Sequence, residues 1–116
     1  MIHPWVDTHG HLFLIDDDPA AVLERAAASG VQWVMCPGVD VSTSEESEAL
    51  AVAHPDSVLW SAGLHPHDAG QWASVRDRIG ELAARADAIG ECGLDYYRNL
   101  ASREDQTLAF TEQLAL

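Results

Sequence analysis

Residues 18–38 read DPAAVLERAAASGVQWVMCPG, and this stretch contains the boundaries of one helix and one strand. Asp18 has the side chain of an N-cap, Pro19 takes the first helical position, and Gly30 suits the C-terminal cap. The run Val31–Cys36 follows directly and is apolar on both faces, as expected for a parallel strand that helices cover. The stretch therefore predicts a helix that leads into a buried strand.

The same alternation of strand and helix recurs along the whole chain. Four β-like runs are separated by helical patterns, at about 27–30 residues per unit, which is typical of a β/α repeat. The four runs are Trp5–Thr8, Val31–Cys36, Val58–Ala62 and Ala88–Cys92. No linker or low-complexity tract interrupts them, so residues 1–116 are predicted to form one domain.

The second helix is predicted from capping-box spacing. Ser42 with Glu45, or Thr43 with Glu46, marks its start, and the helix ends before Pro55.

The third and fourth helices are predicted from their apolar faces. The third has one face of period 3.6, formed by Trp72, Val75, Ile79, Leu82 and Ala86. The fourth begins near Ser102 and runs to the end of the chain, with Phe110 and Leu114 on one face.

A parallel β/α repeat either opens into a doubly wound sheet or closes into an eight-stranded barrel. No Gly-rich dinucleotide fingerprint follows the first strand, where HGHL stands instead, and this disfavours the dinucleotide-binding alternative. A closed barrel needs eight strands, whereas four are predicted here, so the barrel alternative implies an incomplete barrel.

Composition excludes several classes of protein. With 47% hydrophobic residues the chain is not of a disordered type, and no apolar run reaches the roughly 20 residues of a membrane span. The formal charge of −13 argues against binding of nucleic acid through a broad basic face, although bound cations can meet a phosphate locally. Cys36 and Cys92 lie in apolar runs and are predicted to be reduced core residues. No signal peptide is evident, so we predict a cytoplasmic protein without a membrane partner.

Histidines cluster after the predicted strands. His9 and His11 follow the first strand, and His65 and His67 follow the third. Because the carboxyl ends of parallel strands meet at one face, we expect these side chains to share a rim. On an extended segment the spacing of His9 and His11 directs both rings to one side, where they can chelate a divalent ion.

Glu91 is a further candidate ligand, since it stands in an apolar run and charged residues are seldom buried unless paired or metal-bound. Its two oxygens can bridge two cations, as two-metal hydrolysis requires. The alternative is a salt bridge to Arg98. Asp7 is either a hydrogen-bond acceptor that orients a ligand histidine or a turn residue.

The remaining polar residues of the rim suit contact with a substrate. His65 is predicted to contact a substrate or to hydrogen-bond a metal ligand, and Arg98 to hold a phosphate or to offset local carboxylates. Tyr96 and Tyr97 can stack on or hydrogen-bond a substrate, unless one of them belongs to the core.

Three motifs together are highly specific. VDTHGHL, GLHPHD and IGECGLDYYR, in this order and spacing, resemble the TatD-type metal-dependent hydrolases of the amidohydrolase superfamily. The resemblance covers essentially the whole chain and includes the final helix, SREDQTLAFTEQLAL. It implies that residues 1–116 are the first four β/α units, the N-terminal half, of a TIM-type barrel.

The resemblance also implies a function and a set of roles. It implies two divalent ions (Mg, Mn or Zn) and hydrolysis of phosphodiester bonds, commonly of DNA, by a metal-activated water. His9 and His11 are metal ligands by this resemblance, and Glu91 is the ligand shared between the metals. His65, Asp95 and Arg98 lie close to the site, His65 and Arg98 as substrate contacts and Asp95 as a supporting residue.

Half of the family's ligand set has no counterpart here. Two further histidines and the aspartate that activates water belong to later strands, so the chain is expected to be a fragment whose catalytic residue is unknown. One alternative is an inactive or partner-dependent half-barrel, which should self-associate through its open edges. Another alternative is an amidohydrolase-like esterase, lactonase or deacylase, because a fold does not fix a substrate.

Overall fold

The computed structural model describes residues 3–116 and contains one parallel sheet of four strands with helices between them. The strands are β1 Trp5–Asp7, β2 Val31–Pro37, β3 Val58–Ala62 and β4 Ala88–Ile89. The helices are α1 Pro19–Ala28, α2 Val41–Ala53, α3 Trp72–Ala83 and α4 Arg103–Gln113, with short 3₁₀ segments at Leu12–Leu14 and Pro66–Gln71. The predicted β/α repeat is confirmed.

The strand order β1-β2-β3-β4 decides between the two forms of parallel repeat. A doubly wound sheet reverses its strand order at a switch point, whereas a barrel adds each strand beside the previous one. The four units follow the barrel pattern and form the first β/α units of a TIM-type barrel.

Helix α1 has the boundaries that its sequence predicts. The Asp18 carboxylate accepts a hydrogen bond from the Ala21 backbone N–H, and Pro19 is the first helical residue. Gly30 follows the helix with a φ of +92°, in the left-handed region where glycine carries no steric cost. Local chemistry is therefore sufficient to define this helix.

Helix α2 begins earlier than either predicted capping box allows. Its N-cap is Asp40, whose carboxylate accepts the Thr43 N–H at 2.8 Å, while the Thr43 hydroxyl accepts the Asp40 N–H at 3.1 Å. Ser42 instead directs its hydroxyl to Glu46 on the helix surface. The predicted starts were wrong because Asp40 supplies the same capping chemistry nearer to β2.

The predicted face of α3 is largely confirmed, and that of α4 is not. Trp72, Ile79 and Leu82 are buried in α3, whereas Ala86 lies beyond the end of that helix. In α4 the buried residues are Gln106, Ala109 and Gln113, while Leu114 is 69% exposed. Phe110 is only partly buried, so the packed face of α4 is formed largely by two buried amides and not by the predicted apolar pair.

The core lies between the sheet and the helices. On the side of β2 and α1 it includes Leu12, Leu23, Val34 and Val58, and Leu64 packs against Trp72 and Ile79 of α3. Both cysteines are free thiols; Cys36 is buried in the core as predicted, whereas Cys92 is only partly buried. No helix within residues 3–116 is long and apolar enough to cross a membrane.

Parts of the sheet are exposed, although the sequence predicted strands that helices cover on both faces. Trp5 and Val6 of β1 are 69% and 51% exposed. Within residues 3–116, β1 pairs only with β2 and β4 only with β3, so each carries one free edge. Free edges of this kind favour pairing with another chain, and self-association stays a prediction.

Candidate metal centre

Three side chains from the ends of β1 and β4 converge on one point. The Nε2 atoms of His9 and His11 lie 3.0 Å apart, and Glu91 Oε2 lies 3.3 Å from the first and 3.4 Å from the second. The site therefore offers two nitrogens and one oxygen, from His9, His11 and Glu91, that are close enough together to bind one metal ion.

The spacing of these donor atoms fits a divalent cation. Ligands that share an ion at about 2.0–2.2 Å lie about 2.8–3.6 Å from each other in octahedral or tetrahedral geometry. All three observed separations fall in this range. Imidazole nitrogen with carboxylate oxygen is a donor set that suits zinc and manganese and that magnesium tolerates less well.

The orientation of His11 leaves its Nε2 lone pair directed at the other donors. Its Nδ1 lies 3.0 Å from the carbonyl oxygen of Pro37. A carbonyl only accepts, so Nδ1 carries the proton and Nε2 is free to bind a cation. Pro37, the last residue of β2, thus fixes the tautomer of a ligand on the neighbouring strand.

The backbone around Glu91 is held from both sides. Strand β4 ends at Ile89, three residues earlier than predicted. The Gly90 N–H donates to Ala62 O at 2.9 Å, and the Glu91 N–H donates to Gly38 O at 2.7 Å. The Gly90–Glu91 peptide bond is cis. The two backbone hydrogen bonds fix Glu91 just beyond the carboxyl end of the sheet.

Asp7 acts on the backbone of the first motif rather than on an imidazole ring. Its carboxylate accepts the His9 N–H at 3.0 Å, and the Gly10 N–H donates to Met35 O at 2.9 Å. A Cβ on Gly10 would lie 2.8 Å from Val34 Cγ1, so the absence of a side chain permits this close approach to β2. Of the two roles considered for Asp7, the geometry favours the turn.

His65 lies on the opposite side of Glu91 from the two histidines of the first motif. Its Nε2 is 3.4 Å from Glu91 Oε1, and its Nδ1 accepts the His67 N–H at 3.1 Å. Because Nδ1 accepts a hydrogen bond, the neutral ring carries its proton on Nε2. Burial lowers the pKa of His65 and thus favours the neutral ring, in spite of the opposing charge of Glu91. His65 therefore presents a hydrogen-bond donor to the site.

Arg98 pairs with Asp95, and no contact with Glu91 is found within residues 3–116. The Arg98 guanidinium lies 3.7 Å from Asp95 Oδ2 and its side chain is 65% exposed. Asp95 also bonds His67 Nε2 at 2.6 Å, a connection across the β3 and β4 loops. The salt bridge from Glu91 to Arg98, the alternative to a metal role, is absent.

The fully buried side chain of Gln106 holds the Asp95 loop in place. Its Oε1 accepts the Asp95 N–H at 2.8 Å, and its Nε2 donates to Ala101 O at 3.0 Å. Gln113, two helical turns further along α4, accepts the Leu64 N–H at 2.8 Å and so holds the His65 loop. The sequence predicted neither role. The spacing of the two glutamines was a signal for a shared role, because residues seven positions apart lie on the same face of a helix.

Stability should depend on pH through Asp95. The Arg98 backbone N–H and the His67 ring hold the pKa of Asp95 below its usual value, so its contribution is present above about pH 4 and is lost as pH falls through the folded-state pKa. We expect Asp95→Asn to unfold at lower urea concentration than wild type near pH 7, and the difference to shrink below about pH 4. Urea titrations across this range measure it. Asp77→Asn, at a side chain that is 98% exposed, is the control and should show no such convergence.

Comparison with known proteins identifies the family. The family described as TatD related DNase matches residues 6–116, a span that includes all three donors of the metal centre. The chain belongs to this family. Among curated TatD relatives, "3'-5' ssDNA/RNA exonuclease TatD" of Pantoea ananatis is 42% identical over 102 residues, or 85% of this chain and 39% of the relative. The protein of the same name from a Rahnella species is 43% identical over 104 residues, or 87% of this chain and 40% of the relative.

Solved structures agree with the TatD assignment. The crystal structure of YJJV, a TatD homologue from Escherichia coli K12, superposes with a TM-score of 0.79 at 27% identity and covers 96% of this chain and 45% of that one. An uncharacterized amidohydrolase from Saccharomyces cerevisiae shares the fold, with a TM-score of 0.73 at 22% identity, over 98% of this chain and 44% of that one. The chain thus spans about 40% of the length of the curated TatD relatives it matches.

Proposed function

We propose that the protein is a metal-dependent phosphodiesterase that hydrolyses DNA or RNA strands. The observation that carries the proposal is the convergence of His9, His11 and Glu91 at cation-binding separations on the carboxyl rim of the sheet. The names of the relatives, which are nucleases for single-stranded DNA and RNA, support this substrate class.

His9 and His11 would hold one divalent ion together with Oε2 of Glu91. The other oxygen of Glu91, Oε1, points away from that pair towards His65, which supports a bridging role for this carboxylate and a second ion. Bound divalent ions supply Lewis-acid chemistry, because they lower the pKa of water and offset the charge of phosphate oxygens.

The chain's own residues orient the substrate beside the donors. His65 carries a proton on Nε2 and can donate it in a hydrogen bond to a phosphate oxygen, without acting as a metal ligand. Arg98 offers an exposed fork of N–H donors, which suits a phosphate. A cavity of about 280 Å³ borders two of the three donors, His9 and Glu91, is also lined by Ser61, and admits a small group such as a sugar or a base.

Two measurements on the 116-residue chain test the proposal. Calorimetry with Mn²⁺ and Zn²⁺ should detect binding, and a labelled single strand should be shortened with a divalent ion and remain intact in EDTA. The Pantoea ananatis relative is the positive control. Metal binding without hydrolysis of DNA or RNA would contradict the nuclease assignment and favour an inactive or partner-dependent half-barrel. Metal-dependent turnover of ester or acyl substrates alone would favour the esterase or deacylase alternative.

A further inference from the structure

The loop between β4 and α4 exposes a patch of aromatic and basic side chains. Tyr97 is 95% exposed, whereas the neighbouring Tyr96 is 40% exposed and is held in place. The Arg103 guanidinium lies 4.4 Å from the centre of the Tyr96 ring, and the Tyr96 hydroxyl is 3.2 Å from that of Thr107. Tyr96 therefore anchors the loop, and Tyr97 presents a ring to solvent. We call Tyr96, Tyr97, Arg98 and Arg103 the tyrosine–arginine patch.

In the part of the chain that the structure describes, the patch contains two of the three arginines that lack a closely bound carboxylate; the third is Arg76, which lies 3.8 Å from Asp77 and 4.0 Å from Glu112. Arg25, Arg78 and Arg85 each bind a carboxylate closely on the helical surface. Within residues 3–116, Arg103 has no carboxylate within 4.0 Å, and Arg98 has Asp95 only at 3.7 Å. Although the chain has a net charge of −13, these two guanidinium groups make the patch locally basic.

A short series of contacts connects the patch to the metal centre. Glu91 lies 3.4 Å from His65, whose ring centre is 4.2 Å from that of His67. His67 binds Asp95 at 2.6 Å, and Asp95 accepts the Arg98 backbone N–H at 2.9 Å. The patch therefore borders the rim at which the proposed function places the scissile bond.

We propose that the tyrosine–arginine patch binds a single strand of nucleic acid, with Tyr97 stacked on an unpaired base and Arg98 and Arg103 at phosphates. The assignment rests on the proposed function for its choice of substrate class. An exposed ring with adjacent guanidinium groups is the combination that single-strand-binding sites use, and it tolerates any base because every base has a π-face. Bases in a duplex are already stacked and are not accessible to the ring, so the patch selects single strands.

Fluorescence anisotropy with a labelled oligodeoxyadenylate strand tests the patch. The measurement is made in EDTA, which keeps the strand intact and makes binding independent of the metal centre. We expect Tyr97→Leu to weaken binding about fivefold or more and Tyr97→Phe, which keeps the ring, to remain within about twofold of wild type. Because two cations contact phosphates, the slope of log Kobs against log salt should be about −1.4, and it should be halved in Arg103→Gln.

A matched control variant is available on the same chain. Arg76→Gln removes an equal charge from α3, beside Glu112 at the other end of α4 from Arg103, and should leave binding unchanged. Wild-type affinity in Tyr97→Leu, equal binding of a duplex, or Tyr97-dependent dimerisation by light scattering without strand binding would each overturn the assignment. Metal-dependent hydrolysis by the wild-type chain without strand binding in EDTA counts against the patch alone. Strand binding in EDTA without metal-dependent hydrolysis counts against the proposed function alone.

Discussion

Replacement of Glu91 by glutamine is expected to weaken binding of Mn²⁺ or Zn²⁺ by more than about 100-fold, beyond the range found when only a supporting residue is changed. The substitution keeps the shape of the side chain but removes the anionic donor that lies 3.3–3.4 Å from both imidazoles. The amide N–H₂ of the new residue can donate to the lone pair of His11 Nε2, so it also occupies the position of the ion. Calorimetry on the purified chain measures the affinity.

The same variant should lose at least about 100-fold in metal-dependent hydrolysis, because every step of the proposed chemistry requires bound ions. Its metal-free thermal unfolding should remain close to that of wild type, since the side chain keeps its shape and its amide can donate to His11 Nε2. Glu24→Gln, on the exposed surface of α1, removes an equal charge and is the control. Wild-type metal affinity in the Glu91 variant would remove this residue from the ligand set.

The parts of the fold that the sequence predicts well are those with local causes. Asp18, Pro19 and Gly30 define α1 by their own capping chemistry, and no distant residue is needed. The start of α2 was predicted two or three residues late because Asp40, Ser42 and Thr43 all have capping side chains, and their local chemistry alone does not rank them. Which one caps depends on where β2 delivers the chain, and that is a tertiary property.

The same distinction between local and tertiary causes applies to the candidate site. His9, His11 and Glu91 were selected from motif spacing and strand position, and the structure brings them together. The Pro37 carbonyl that orients His11 is a backbone atom, so no residue type indicates it.

The bond between His67 and Asp95 joins residues 28 positions apart and depends on how two loops meet. The predicted apolar face of α4 was wrong because the loops present unpaired backbone groups to the helix. Gln106 and Gln113 satisfy those groups, and a leucine there would leave them without partners.

Replacement of Gly63 by alanine is expected to destabilise the fold and to displace Glu91 at the same time. A Cβ at this position would lie 2.5 Å from the carbonyl carbon of Gly90 and 2.8 Å from its Cα, so backbone rather than a flexible side chain must shift. Gly90 is also held by Ser61, whose hydroxyl donates to its carbonyl at 2.7 Å, and this restricts the shift. Overpacking of this kind typically costs about 1–3 kcal/mol.

Differential scanning calorimetry should therefore show a lower Tm for Gly63→Ala, and titration with Mn²⁺ should show an affinity at least about tenfold lower, as when the support of a ligand is disturbed. Gly80→Ala is the matched control, since it lies within α3 and its nearest neighbour would be Leu116 Cδ2 at 3.8 Å. That variant should be unchanged or up to about 1 kcal/mol more stable, with wild-type metal affinity. If Gly63→Ala lowers Tm but binds Mn²⁺ as wild type does, the contact between β3 and Gly90 supports the sheet without positioning Glu91. If both quantities match wild type, the close approach of these two glycines is not a constraint on the fold.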